Sequence, residues 1–221
     1  MDPEKLKFAF LYLVALVLSI CVHEFGHAFV ADKLGDPLPR SQGRVTLNPL
    51  AHADPIGTLL LPLIAVFSGP AIGQYILGWG KPVQISLSPR SMTRKMSIRT
   101  AHALIAIAGP MMNILFGLLL SGVFILLVKT QKIELAKGVV GVIQMNIGLC
   151  LFNLLPIPPL DGGAIFARFV PRRYDHVLDA INRYGFIILI ELLFTGLLWK
   201  LMWPAFIIED FWITHLIQWA S

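Results

Sequence analysis

Charge is what this sequence has least of. Only 14% of its 221 residues are Asp, Glu, Lys or Arg, where a soluble domain carries about a quarter. A surface facing water cannot be covered from that supply, so an ordinary cytosolic enzyme is excluded. Disorder is excluded as well, because disordered segments are polar and 56% of this chain is hydrophobic. Cysteine is equally scarce. Cys21 and Cys150 both lie in apolar runs, which argues against a disulfide-stapled scaffold and reads both as small apolar fillers. Also missing are repeats, low-complexity tracts and any polar stretch long enough to fold separately. Residues 1–221 are therefore expected to form a single membrane domain.

What is present is a series of apolar runs, at about 8–30, 56–77, 101–128, 138–157 and 185–208. Several approach or exceed the roughly 20 residues that cross a hydrocarbon core. The expected fold is an all-α polytopic membrane protein with four to five transmembrane helices. The run 56–77 is interrupted by Pro62, Gly69, Pro70 and Gly73 and suits a bent or re-entrant segment. A β-favouring stretch, GRVTLN at 43–48, predicts a short strand or hairpin element. The tail from Phe211, with Trp212 and Trp219, reads as interfacial. The start, MDPEKLKF, runs into its apolar stretch without a small-residue cleavage site, so a removed signal peptide is not expected. The net charge of +5 belongs with short cytoplasmic loops, and no nucleic-acid partner is expected.

Inside the first apolar run stands the pattern HExxH: His23, Glu24 and His27. Two histidines four positions apart share a helix face, offset by about 40°. Both can reach one tetrahedral zinc ion while Glu24 stands beside it. A carboxylate at membrane depth costs about 2.5–3.5 kcal/mol on insertion scales, so such a cluster is a functional site by default. Cys21, two residues before His23, points about 200° away. A hydrolytic zinc site generally needs a third protein ligand. Asp161, Glu191, His102, His52 and Asp54 are the candidates. Asp161 is distinctive, because it follows the helix-breaking Pro156, Pro158 and Pro159 and precedes Gly162 and Gly163, which permit close backbone approach. A helix-capping role is its structural alternative. Asn153 lies eight residues before Asp161, two turns along the same face, where its amide either donates to an oxyanion or bonds between helices. Asn113, in AGPMMN, reads as a packing residue.

These blocks, HEFGHAFVADKLGD, GRVTLNPLAHADPIGTLLLP, GWGKPV, AGPMMN and FNLLPIPPLDGG, resemble in order the site-2 protease family of intramembrane zinc metalloproteases in its short bacterial and archaeal form. The resemblance implies one zinc ion per chain on His23, His27 and Asp161. It implies Glu24 as catalytic base and Asn153 as an aid near the substrate or oxyanion. It further implies a transmembrane protein as substrate, residence in the cell membrane, and a site toward the cytosol.

Charge provides a separate route to that orientation. His27 and Asp161 can meet only if 56–77 does not cross the bilayer. Under that topology one face holds Lys33, Arg40, Arg44, Lys81, Arg90, Arg94, Lys95, Arg99, Arg168, Arg172, Arg173 and Arg183, twelve of the 18 basic residues. The positive-inside rule makes that face cytosolic and the N-terminus external. Two rival readings remain. A proton or metal transporter would not need Asp161, and a silent helix-binding scaffold would not need Glu24.

Overall fold

The structure, a computed structural model, describes residues 3–68, 78–88, 92–93 and 95–220. Three helices among these are long and apolar enough to cross a membrane. The first, α1 (Pro3–Lys33), carries the apolar stretch Ala9–Lys33. A four-residue α2 (Leu38–Ser41) follows, and then α3 (Leu61–Ser68), entered through a wide helical turn at Pro55–Leu60. Asp54 caps that turn, its carboxylate accepting from the N–H groups of Ile56 and Gly57. The second long helix, α4 (Ile98–Lys129), begins where the Ser97 side chain accepts from Thr100 N–H. A tight turn with Gln131 at φ 60° leads into the third, α5 (Ile133–Asn153).

The three long helices pack on one another because small residues let their backbones approach. A Cβ at Gly26 of α1 would lie 2.6 Å from the Ala108 carbonyl oxygen of α4. With no water in the bilayer to drive helix association, such close van der Waals contact is the main source of packing. Beyond α5 come α6 (Asp161–Ala167), α7 (Asp175–Phe194), α8 (Leu197–Leu201) and α9 (Trp203–Ala220).

Two expectations require correction. No strand is found among the described residues, so GRVTLN is neither strand nor hairpin. A strand needs a partner edge, and here the chain is held by side chains instead: Arg44 donates to the Ala51 and Lys81 carbonyls, and Thr46 Oγ1 accepts from Asn48 N–H. The run 185–208 is not one helix. It breaks at Gly196, whose φ of 72° is the left-handed conformation that ends helices, and it restarts at Trp203. Against the four to five spans expected, three helices of membrane-crossing length are found among the described residues. In the tail, Phe211 and Trp219 are exposed, but Trp212 packs against the cluster of Phe124, Ala136, Ile143 and Ile147 and donates its Nε1–H to Ser121 Oγ at 3.1 Å.

Gly69, Pro70 and Gly73, and with them Arg90 and Arg94, lie outside the described residues. The flanks of 56–77 are nevertheless informative. Trp79 N–H donates to the Gly57 carbonyl at 3.1 Å, and Lys81 N–H donates to that of His52 at 2.9 Å. The chain that departs at residue 57 is back beside its starting point by residue 79.

Candidate metal centre

Helix α1 presents His23 and His27 on one face, with ring centroids 4.6 Å apart. Opposite them α4 has Gly109, where an added Cβ would lie 2.4 Å from His27 Nε2 and 2.7 Å from His23 Cε1. Glycine at this position lets the imidazoles lie against the helix backbone. The third group comes from the far end of the chain. After α5 the Pro-rich turn, with a cis bond between Pro158 and Pro159, delivers Asp161 as the first residue of α6. Here too glycine is required by contact. A Cβ at Gly162 would fall 2.2 Å from the Leu155 carbonyl oxygen, and one at Gly185 of α7 would fall 2.3 Å from that of Pro158. Leu160, not Asp161, holds the N-cap position of α6, and the Asp161 carboxylate faces the histidines.

The geometry is tight. His23 Nε2 and His27 Nε2 are 3.0 Å apart, Asp161 Oδ2 is 3.2 Å from the former, and Oδ1 is 3.4 Å from the latter. Four ligands on zinc at about 2.05 Å stand about 3.3 Å from one another in a tetrahedron, so these three edges suit one ion. The chemistry of the donors agrees. His27 Nδ1 lies 2.8 Å from the Ile105 carbonyl oxygen, which only accepts, so Nδ1 carries the proton. His23 Nδ1 lies 2.7 Å from Asn113 Oδ1, with the same result. Both Nε2 atoms therefore offer lone pairs to each other and to a carboxylate whose buried Oδ2 has no hydrogen-bond donor. A cation or a proton between them would relieve this crowding of acceptors.

Glu24 is half-buried beside the cluster, and its Oε2 accepts from Val83 N–H at 3.1 Å. Val83 belongs to a stretch without regular secondary structure, 78–88, that lines the site. Asp36, almost fully buried, fixes that stretch by accepting from Ser86 N–H and Ser86 Oγ as well as from Leu38 N–H. His23, Glu24, His27, Asn153 and Asp161 all line one cavity of about 510 Å³, otherwise walled mainly by apolar side chains such as Ile20, Trp79, Phe186 and Leu189.

The remaining candidates separate clearly. His102 lines the cavity and is exposed, but it stands outside the three-residue cluster. Glu191 is exposed on α7 and Asp54 caps a turn. His52 is fully buried, donating Nε2–H to the Thr46 carbonyl at 2.8 Å. Burial pushes its pKa down, against the pull of that carbonyl, and so keeps it neutral. Cys21 turns away and donates to the Leu47 carbonyl. Asn153 spends one N–H on the Leu149 carbonyl at 2.9 Å. Sequence reasoning missed Arg44, buried behind the site, whose pKa burial lowers against the pull of Glu24. Asn113, read as a packing residue, is fully buried between helices and also lies 2.7 Å from His23 Nδ1.

Comparison with known proteins points one way. The sequence profile of peptidase family M50 matches residues 125–192. The chain is 37% identical over 201 residues to "Putative zinc metalloprotease YwhC" of Bacillus subtilis, covering 87% of this chain and 84% of that protein. It is 29% identical over 211 residues to "Putative zinc metalloprotease Rip2" of Mycolicibacterium smegmatis, covering 95% and 72%. The protein of that name from Mycobacterium tuberculosis is 26% identical over 196 residues, covering 86% and 70%. No solved structure matches significantly.

Proposed function

The chain belongs to peptidase family M50, the zinc metalloproteases, and from that premise we propose that it hydrolyses peptide bonds within or beside transmembrane segments of other membrane proteins. The convergence of His23, His27 and Asp161 beside Glu24, in an apolar-walled cavity among membrane-length helices, is the observation that carries this reading.

His23 Nε2, His27 Nε2 and the Asp161 carboxylate would hold one zinc ion per chain. Zinc so held supplies Lewis acidity, making water acidic near neutral pH and polarising a peptide carbonyl. Glu24 acts as general base and then general acid: Oε2 is steadied by Val83 N–H, and Oε1 takes the proton of the attacking water and returns it to the leaving amine. Asn153 keeps one amide N–H after its bond to Leu149, and that proton is available to a substrate carbonyl or its oxyanion. The apolar walls accept the side chains of a membrane segment and keep bulk water from the scissile bond. The excess of basic residues on the connections flanking the site supports an orientation toward the cytosol of the cell membrane.

Elemental analysis of detergent-purified protein, with cleavage of a tagged transmembrane peptide, tests the proposal. Wild type is expected to carry about one zinc per chain, lost in His23→Ala and Asp161→Ala. Glu24→Gln is expected to keep its zinc and lose cleavage by several orders of magnitude. Cleavage that survives Glu24→Gln, or zinc absent from wild type, refutes it.

A further inference from the structure

Behind His23, on the side away from the cavity, lies a polar network in the most buried part of the helix bundle. Asn113 of α4, Asn146 of α5 and Ser19 of α1 are all fully buried. Asn113 Nδ2 lies 3.0 Å from the Ser19 carbonyl oxygen and 2.8 Å from Asn146 Oδ1. Asn146 Nδ2 lies 2.8 Å from Ser19 Oγ and 2.8 Å from the Val142 carbonyl oxygen. Ser19 Oγ in turn donates to the Ala15 carbonyl at 2.7 Å.

The direction of every bond in this network is forced. A backbone carbonyl only accepts, so the end of Asn146 that meets Val142 must be its NH₂ group. Its oxygen then faces Asn113 and requires an N–H there, which the Ser19 carbonyl requires independently. Asn113 is left with its oxygen toward His23, and an oxygen at 2.7 Å demands a proton on Nδ1. Three main-chain carbonyls thus dictate, through two amides, that the lone pair of His23 stands on Nε2, facing His27 and Asp161.

We propose that Asn146 and Ser19, neither of which touches the metal cluster, are positioning residues that act through Asn113 to lock the tautomer and ring plane of His23 for zinc. This rests on the reading of His23 as a zinc ligand. The cost of burying two amides among apolar helices is offset only if every donor and acceptor is used, as it is here. Packing alone would be served equally well by Leu at 146. With Leu there, Asn113 loses one of the two groups that hold its amide and keeps only the Ser19 carbonyl, so that its plane, and with it that of His23, is held less firmly.

Zinc affinity, read by chelator competition, and the visible absorption of the cobalt-substituted protein test this without reference to activity. Asn146→Leu and Asn113→Leu are expected to weaken zinc about 10- to 100-fold, the usual effect of losing a partner that orients a metal-bound histidine, and to alter the cobalt spectrum. Ser19→Ala, a milder change that carries the test if the Leu variants fail to fold, is expected to weaken zinc several-fold. Ile147→Ala, buried on the same helix but outside the network, is expected to lower the melting temperature with unchanged affinity and spectrum. Wild-type zinc affinity and an unchanged spectrum in Asn146→Leu or Ser19→Ala would overturn the relay while leaving the protease reading intact. Retention of zinc by His23→Ala would overturn the reading and this inference with it.

Discussion

A methyl group at position 109 would stand 2.4 Å from His27 Nε2, well inside van der Waals contact. Gly109→Ala must therefore push the imidazoles off the face of α4, and overpacking of this kind costs about 1–3 kcal/mol. The expected result is a zinc affinity lowered at least about tenfold with helix content unchanged, checked by chelator competition and circular dichroism; wild-type affinity would contradict the contact. At this scale the sequence was legible wherever the signal was local. His23, Glu24 and His27 announce themselves by spacing alone, and Asp161 by the prolines and glycines around it. Ser19, Asn113 and Asn146 were not legible, because each is an ordinary polar residue in its own run and acquires a role only when three helices bring them together.

Among the elements, the irregular stretch 78–88 is gripped on the site side by Asp36 and Glu24, through Ser86 and Val83. Hydrogen bonds to a charged group contribute about 1.5–3 kcal/mol each. Asp36→Ala is expected to release the stretch, speeding limited proteolysis between residues 81 and 88 several-fold while zinc content stays at the wild-type level. Unchanged cleavage kinetics would show that the other contacts suffice. Elements built by distant partners were the ones misread from sequence. The alternation at 43–48 satisfies a strand pattern, yet the edge it needs does not form and Arg44 ties the chain elsewhere. The apolar run 185–208 has the length of a span, but Gly196 divides it, and hydropathy does not register one left-handed residue.

For the whole molecule, the metal would join opposite ends of the chain, α1 and the start of α6. An ion that binds the folded form alone stabilises it by about 2.7 kcal/mol at a hundredfold excess over its dissociation constant. For a chain of this size that corresponds to a rise in melting temperature of roughly 5–10 °C. Stripping zinc with a chelator should lower the melting temperature by that amount in wild type and hardly at all in Asp161→Ala, as scanning calorimetry in detergent would show. The general architecture, a membrane protein of packed apolar helices, was plain from composition. The run 56–77 reads as bent or re-entrant from its prolines and glycines and from the need for His27 and Asp161 to meet, and its flanks do lie together, bonded between Trp79 and Gly57 and between Lys81 and His52.

The network behind His23 has one more consequence, for proton traffic. A proton wire needs groups that accept on one side and donate on the other, and this network terminates on the carbonyls of Ala15, Ser19 and Val142, which are far too weakly basic to pass a proton on. On the side of the bundle interior the candidate site is insulated. In the proposed reaction, protons would therefore enter and leave by way of Glu24 and the open cavity.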